Sequence, residues 1–175
     1  VTDSPILFLT TVLDAMTGEC GNAKLTMSPV RDRLVFSVEL PPEHHPKIIG
    51  AKGVTVDSVR VLLALAGAKL GRQCSLRLIP PPDRFTGPRV PFMPSLTWKK
   101  DFLQSICDTI AGACFSLPVT VAIEDSDDGT TKVAFRLAPT EAVVLPDQQV
   151  CNAIKEVLKV IGMANGRKLN CEVSR

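Results

Sequence analysis

The sequence predicts an α+β fold made of two copies of one module, each in the order α-β-β-α-α-β with a three-stranded sheet covered by helices. Three observations carry this. The first is a repeat. Phe8 to Cys20, "FLTTVLDAMTGEC", aligns without a gap on Phe102 to Cys114, "FLQSICDTIAGAC", at an offset of 94. "GAKLGRQCSLRL" from Gly67 matches "GMANGRKLNCEV" from Gly162 at an offset of 95. The second is that segments of helical period alternate with short segments rich in β-branched and apolar residues. The third is the proline-rich break "PPPDRFTGPRVPFMPS" between the copies. Prolines remove backbone donors and favour extended conformations, so this stretch reads as a semi-rigid linker of about 3 Å per residue. The expected units are residues 1–79, a linker over 80–96, and residues 97–175.

Within the first copy, Ser4-Pro5 reads as an N-cap followed by proline at the first helical position. Ile6, Leu9, Leu13 and Met16 then recur at helical spacing, and Gly18 ends the helix. "AKLTMS" and "RLVFSVEL" read as strands joined by a turn at Pro29 to Asp32. A short helix is expected over His45 to Ile49. After it, Val56, Val59, Leu63, Ala66 and Leu70 form the apolar stripe of a longer helix, with Gly67 and Gly71 near its end. "QCSLRLI" is the last strand. The second copy repeats the order. Its helix runs from about Trp98 to Ala113, and "PVTVAIE" and "TKVAFRL" are strands around the hairpin turn "EDSDDGT". A short segment is expected near Glu141 to Leu145, then a helix from about Asp147 to Ile161 and the strand "RKLNCEVS".

Composition narrows the function classes. Hydrophobic residues make up 45% of the chain, enough for a packed core, and no apolar run reaches the ~18 residues of a membrane span. No basic segment followed by an apolar stretch opens the chain, so no signal peptide is expected. The six cysteines form no C-x-x-C pair. Most lie among apolar residues, which fits a reducing, cytoplasmic setting. Net charge is only +2, so its distribution matters more than its total. Residues 1–80 carry nine Lys/Arg and seven Asp/Glu; residues 98–175 carry nine and ten. The only histidines are the neighbours His44 and His45, read as surface loop residues, and there is no tyrosine. Neighbouring histidines point in different directions and make a poor metal pair. "EDSDDG" lacks the spacing and closing Glu of a calcium loop. No catalytic residue, metal site or cofactor is expected.

The stretch "PKIIGAKGVTVDSVRVLLALAG" carries the sharpest signal. Gly50 and Gly53 stand three apart around Ala51 and Lys52, between the apolar pair Ile48-Ile49 and a long helix. Glycine lets the chain turn sharply and lets another chain approach without a β-carbon in the way. The helix N-terminus that follows offers N–H groups and the positive end of its dipole to phosphate. Lys52 adds a cation. Helix, Gly-x-x-Gly, helix within an α-β-β-α-α-β module resembles the type II KH domain, and is most similar to the small single-domain KH proteins of bacteria. The resemblance covers Ile6 to Ile79.

The resemblance implies a loop, Gly50 to Gly53, that clamps about four nucleotides of single-stranded RNA or DNA beside an apolar groove for the bases. Ile48, Ile49, Val54 and Val56 are groove or core candidates, and Lys47, Arg60 and Arg77 are candidate cations beside it. The implied partner is single-stranded RNA, in translation control or RNA protection, in a bacterium or a diverged bacterial virus. In the second copy the four loop positions fall on Leu145, Pro146, Asp147 and Gln148. Both glycines are gone, and Asp147 replaces the cation. A carboxylate repels phosphate, and Asp147 is suited to N-cap the next helix. The second copy is therefore expected to be structural, as a scaffold, a dimerisation or protein-partner surface, or a pseudo-partner packed on the first copy. The alternative function is a protein-protein interaction or assembly module that has lost nucleic-acid binding, with the glycines serving only as a turn.

Overall fold

The structure is a computed structural model, and it describes residues 5–18, 23–80, 99–116, 118–138 and 147–174. Ser4, Cys20, Trp98, most of the expected linker and the segment Glu141 to Leu145 lie outside the described residues. The elements are α1 (Pro5–Thr17), β1 (Lys24–Val30), β2 (Arg33–Glu39), α2 (His45–Ile49), a 3-10 turn (Ala51–Gly53), α3 (Val54–Ala68) and β3 (Gln73–Ile79). They continue with α4 (Lys100–Cys114), β4 (Val119–Asp125), β5 (Thr130–Leu137), α5 (Gln148–Ala164) and β6 (Lys168–Ser174). The fold is α+β, with two three-stranded sheets, ordered β1-β2-β3 and β4-β5-β6. In each sheet the first two strands are antiparallel and the last two are parallel.

The repeat is therefore structural as well as textual. Gly67 and Gly162 occupy matching places near the ends of α3 and α5. A β-carbon on Gly67 would meet the Arg72 carbonyl at 2.7 Å, and one on Gly162 would meet the Arg167 carbonyl at 2.6 Å. Each glycine carbonyl accepts from the N–H of that same arginine, at 3.0 and 2.8 Å. Both copies kept glycine because the strand turns back against the helix with no room for a side chain. The aligned pair Gly18 and Gly112 diverged. Gly18 follows the last residue of α1, as expected, whereas α4 runs through Gly112 to Cys114.

Several local expectations are corrected. Strand β1 includes Pro29 and Val30, so the turn is confined to Arg31 and Asp32, with Arg31 at φ 54°. Proline is tolerated there because β1 is an edge strand. Ile6 is 40% exposed; α1 buries Phe8, Leu9, Val12, Leu13 and Met16 instead. Leu70 lies beyond α3 and is exposed. His44 and His45 are buried rather than on the surface, and His45 Nε2 lies 3.2 Å from the Leu40 carbonyl. The segment leading into α2 folds back on the core, which the polar "PPEHH" spelling does not reveal.

One hydrophobic cluster runs through both copies, from Phe8 and Phe36 to Phe135 and Leu158. The helices of the two copies pack on one another, α3 and α1 against α5 and α4, while β3 packs on α3 and β6 on α5. Two polar links tie the helix ends reciprocally. Lys69, just past α3, donates to the Gly112 and Phe115 carbonyls at the end of α4, the latter at 2.8 Å. Asn165, just past α5, donates from Nδ2 to the Ala15 carbonyl of α1 at 3.2 Å. Each satisfies carbonyls that a helix C-terminus leaves without partners. Among the described residues no helix is long and apolar enough to cross a membrane.

Candidate nucleic-acid interface

Helix α2 is five residues long and ends at Gly50. Gly50 takes φ 71°, ψ −178°, a conformation open to glycine and little else. A β-carbon there would sit 2.0 Å from Thr55 Oγ1 and 2.6 Å from Thr55 Cβ. Gly53 is left-handed at φ 83° but faces open space, with only Asp57 Oδ2 at 4.0 Å. Between them Lys52 is also left-handed, at φ 56°. The three consecutive residues Ala51, Lys52 and Gly53 are exposed or half-buried, so the loop stands out at the N-terminus of α3.

That N-terminus has no side-chain cap, and the carboxylate in its first turn, Asp57, is paired with Arg60. Gly53 is the N-cap of α3 and has no side chain to occupy the first-turn N–H groups. Helix α5 shows the contrast: Asp147 is its N-cap and its carboxylate accepts from Gln149 N–H. The N-cap side chain that the first copy lacks is thus present, as a carboxylate, in the second.

The structure separates the remaining candidates. Ile49 and Val54 flank the loop and are 40% and 50% exposed, so both are available to a ligand. Ile48 and Val56 are core residues. Lys47 lies half-buried in the last turn of α2. Lys52 is exposed, and among the described residues no ion pair engages it. Arg60 is already committed. It pairs with Asp57 at 2.7 Å and its Nε reaches the Leu76 carbonyl of β3 at 3.4 Å. Arg77 alternates with the buried Leu76 and is paired in register with Ser37, which places it on the face of the sheet away from α3. The loop, Ile49 and Val54 are therefore brought together, and Arg77 is not.

One contributor was invisible in the sequence. Thr55, fully buried behind Gly50, donates from Oγ1 to Glu156 Oε1 of α5 at 3.2 Å. Glu156 also pairs with Lys159 at 3.5 Å. The second copy thus holds the residue on which the Gly50 turn rests. Nothing in the spacing of Thr55 and Glu156, 101 residues apart, announces this. Among the described residues no group of His, Cys, Asp and Glu could hold a metal ion. Compared with known proteins, the chain matches no family model and no curated protein.

Proposed function

We propose that the chain is a non-catalytic single-stranded RNA-binding protein, a type II KH module fused to a degenerate second copy. The Gly50 to Gly53 loop is the clamp. The observation that carries this reading is the backbone at Gly50. It is a glycine-only turn, backed by Thr55, that projects Ala51 and the exposed cation Lys52 over a fifteen-residue helix whose N-cap is a glycine. Such an arrangement offers N–H donors, a helix dipole and Lys52 to one phosphodiester backbone. Ile49 and Val54 supply an apolar floor for bases. The element order α-β-β-α-α-β, with a mixed sheet, agrees with the resemblance. Asp147 at the matching place explains why only one copy would bind.

The test is binding of a labelled single-stranded RNA pool to the wild-type chain and to a double variant, Ala51→Asp with Lys52→Asp. Both side chains are exposed, so circular dichroism should be unchanged. The reading predicts binding that weakens steeply with salt and is lost in the variant. Equal binding by both proteins would place the site elsewhere. No binding by either would leave the loop as a turn and favour a protein-interaction module.

A further inference from the structure

At the far end of α3 from the loop, two turns meet. The β1-β2 turn brings Arg31 and Arg33, and the α3-β3 turn brings Arg72. They meet because Arg33 is the register partner of Gln73 at the start of the parallel pair. Two shallow cavities of about 400 and 320 Å3 adjoin there and share Arg33, Gly71 and Arg72. The second is also lined by Arg31 and by one carboxylate, Asp32. All three arginines are exposed, and among the described residues no ion pair engages any of them. Three arginines against one carboxylate, Asp32, line the adjoining cavities, so the charge there is net positive and favours an anion.

The second copy keeps only part of the feature. Arg167 stands where copy one has Arg72, but the β4-β5 hairpin carries Asp127 and Asp128 where the first copy turns through Arg31, and Thr130, paired in register with Lys168, takes the place of Arg33. The cavities also say what kind of anion fits. Guanidinium matches phosphate oxygens in a two-pronged fashion. Among the described residues no aromatic side chain lines either cavity to stack on a base. Gln73 and Ser75 continue the wall along β3, and Arg77 follows on the same face of that strand, four residues from Gln73.

We propose that Arg31, Arg33 and Arg72 form a second phosphate-binding groove that holds the sugar-phosphate backbone of single-stranded RNA without reading its bases. The choice of ligand rests on the proposed function; the cluster itself does not. Helix α3, fifteen residues long, separates the groove from the loop by about 22 Å. A strand confined to the clamp does not reach it, and a longer one does.

The experiment compares two labelled oligouridylates, one of about six nucleotides and one of about sixteen, against three full-length proteins. These are wild type, the clamp variant Ala51→Asp with Lys52→Asp, and a groove variant with Arg31→Gln, Arg33→Gln and Arg72→Gln. The short oligomer should bind the groove variant as it binds wild type. The long oligomer should bind it about tenfold more weakly, with a salt slope shallower by about 2, at roughly 0.7 for each phosphate no longer neutralised. A variant restricted to the turn residues Arg31 and Arg72 serves if the triple variant unfolds. Unchanged affinity and slope for the long oligomer overturn the groove and leave the clamp. Unchanged binding by the clamp variant, with loss in the groove variant, overturns the clamp and leaves the groove. Pyrophosphate binding to wild type that the groove variant abolishes, with no oligomer bound, marks a small-anion site and overturns the RNA assignment.

Discussion

At Gly50 an added β-carbon collides with Thr55, whereas at Gly53 it meets nothing closer than 4.0 Å. The two glycines are equivalent in the spelling G-A-K-G and unequal in the fold. Gly50→Ala should cost about 2 kcal/mol or more, since both conformation and space forbid it. Gly53→Ala should cost only the left-handed backbone penalty, about 1 kcal/mol. Urea unfolding of the two variants measures the difference. The thiols make a second prediction at this scale. Burial pushes Cys114 and Cys171 up to about 12, and Cys107 upward as well. Their folded values lie above the unfolded value of 9.0. The stability they contribute is therefore complete below pH 9 and declines as pH rises towards 12. Denaturation midpoints should fall over that window, and replacing Cys171 with Ser should flatten the fall. The loop glycines and Lys52 were legible as an exposed turn between two helices because that geometry is local. The contact of Arg60 with the Leu76 carbonyl and the turning of Arg77 to the face away from α3 were not, because both depend on how α3 lies on β3.

Among the elements, most strands and helices lie where periodicity and turn residues place them, because each has a local cause. The misplacements share another cause. The sequence shows α3 as one apolar stripe, but α3 buries Thr55, Val56, Ser58, Val59, Leu62, Leu63, Ala66 and Gly67. That face is wider than one stripe because the helix packs on β3 and on α5 together. A hydropathy pattern passes over a buried hydroxyl residue such as Thr55. The bond from Thr55 to Glu156 belongs to the interface with α5. Glu156→Ala leaves a buried hydroxyl without that acceptor, at a cost of about 1 kcal/mol. It should also speed amide exchange at Gly50 to Thr55 more than in β4 to β6, which hydrogen exchange followed by mass spectrometry resolves. Faster exchange spread evenly over the chain would mean that Glu156 only stabilises the fold.

For the whole molecule, a division into residues 1–79, a linker and 97–175 describes the repeat but not the packing. The core passes between the copies, and Lys69 and Asn165 cap helices of the opposite copy. The chain should therefore unfold in one cooperative transition, with calorimetric and van't Hoff enthalpies equal. Residues 1–80 alone would expose the apolar faces of α1 and α3 and should be unfolded or self-associated. Two separate transitions would contradict the shared core. Seen whole, the second copy carries a role that its loss of the loop glycines does not remove: it supplies the surface against which α1 and α3 fold, and through Glu156 it supports the turn at Gly50.

Whether the Gly50 to Gly53 loop meets a nucleic-acid backbone decides the proposed function. It is tested most directly by titrating the isotope-labelled chain with a short oligouridylate and following the backbone amide resonances. The largest shifts should fall on Gly50, Ala51, Lys52, Gly53, Val54 and Thr55, with smaller ones at Ile49, while the N-terminus of α5 around Gln148 and Gln149 stays still. Shifts confined to any other surface, or none at saturating oligomer, would contradict the clamp.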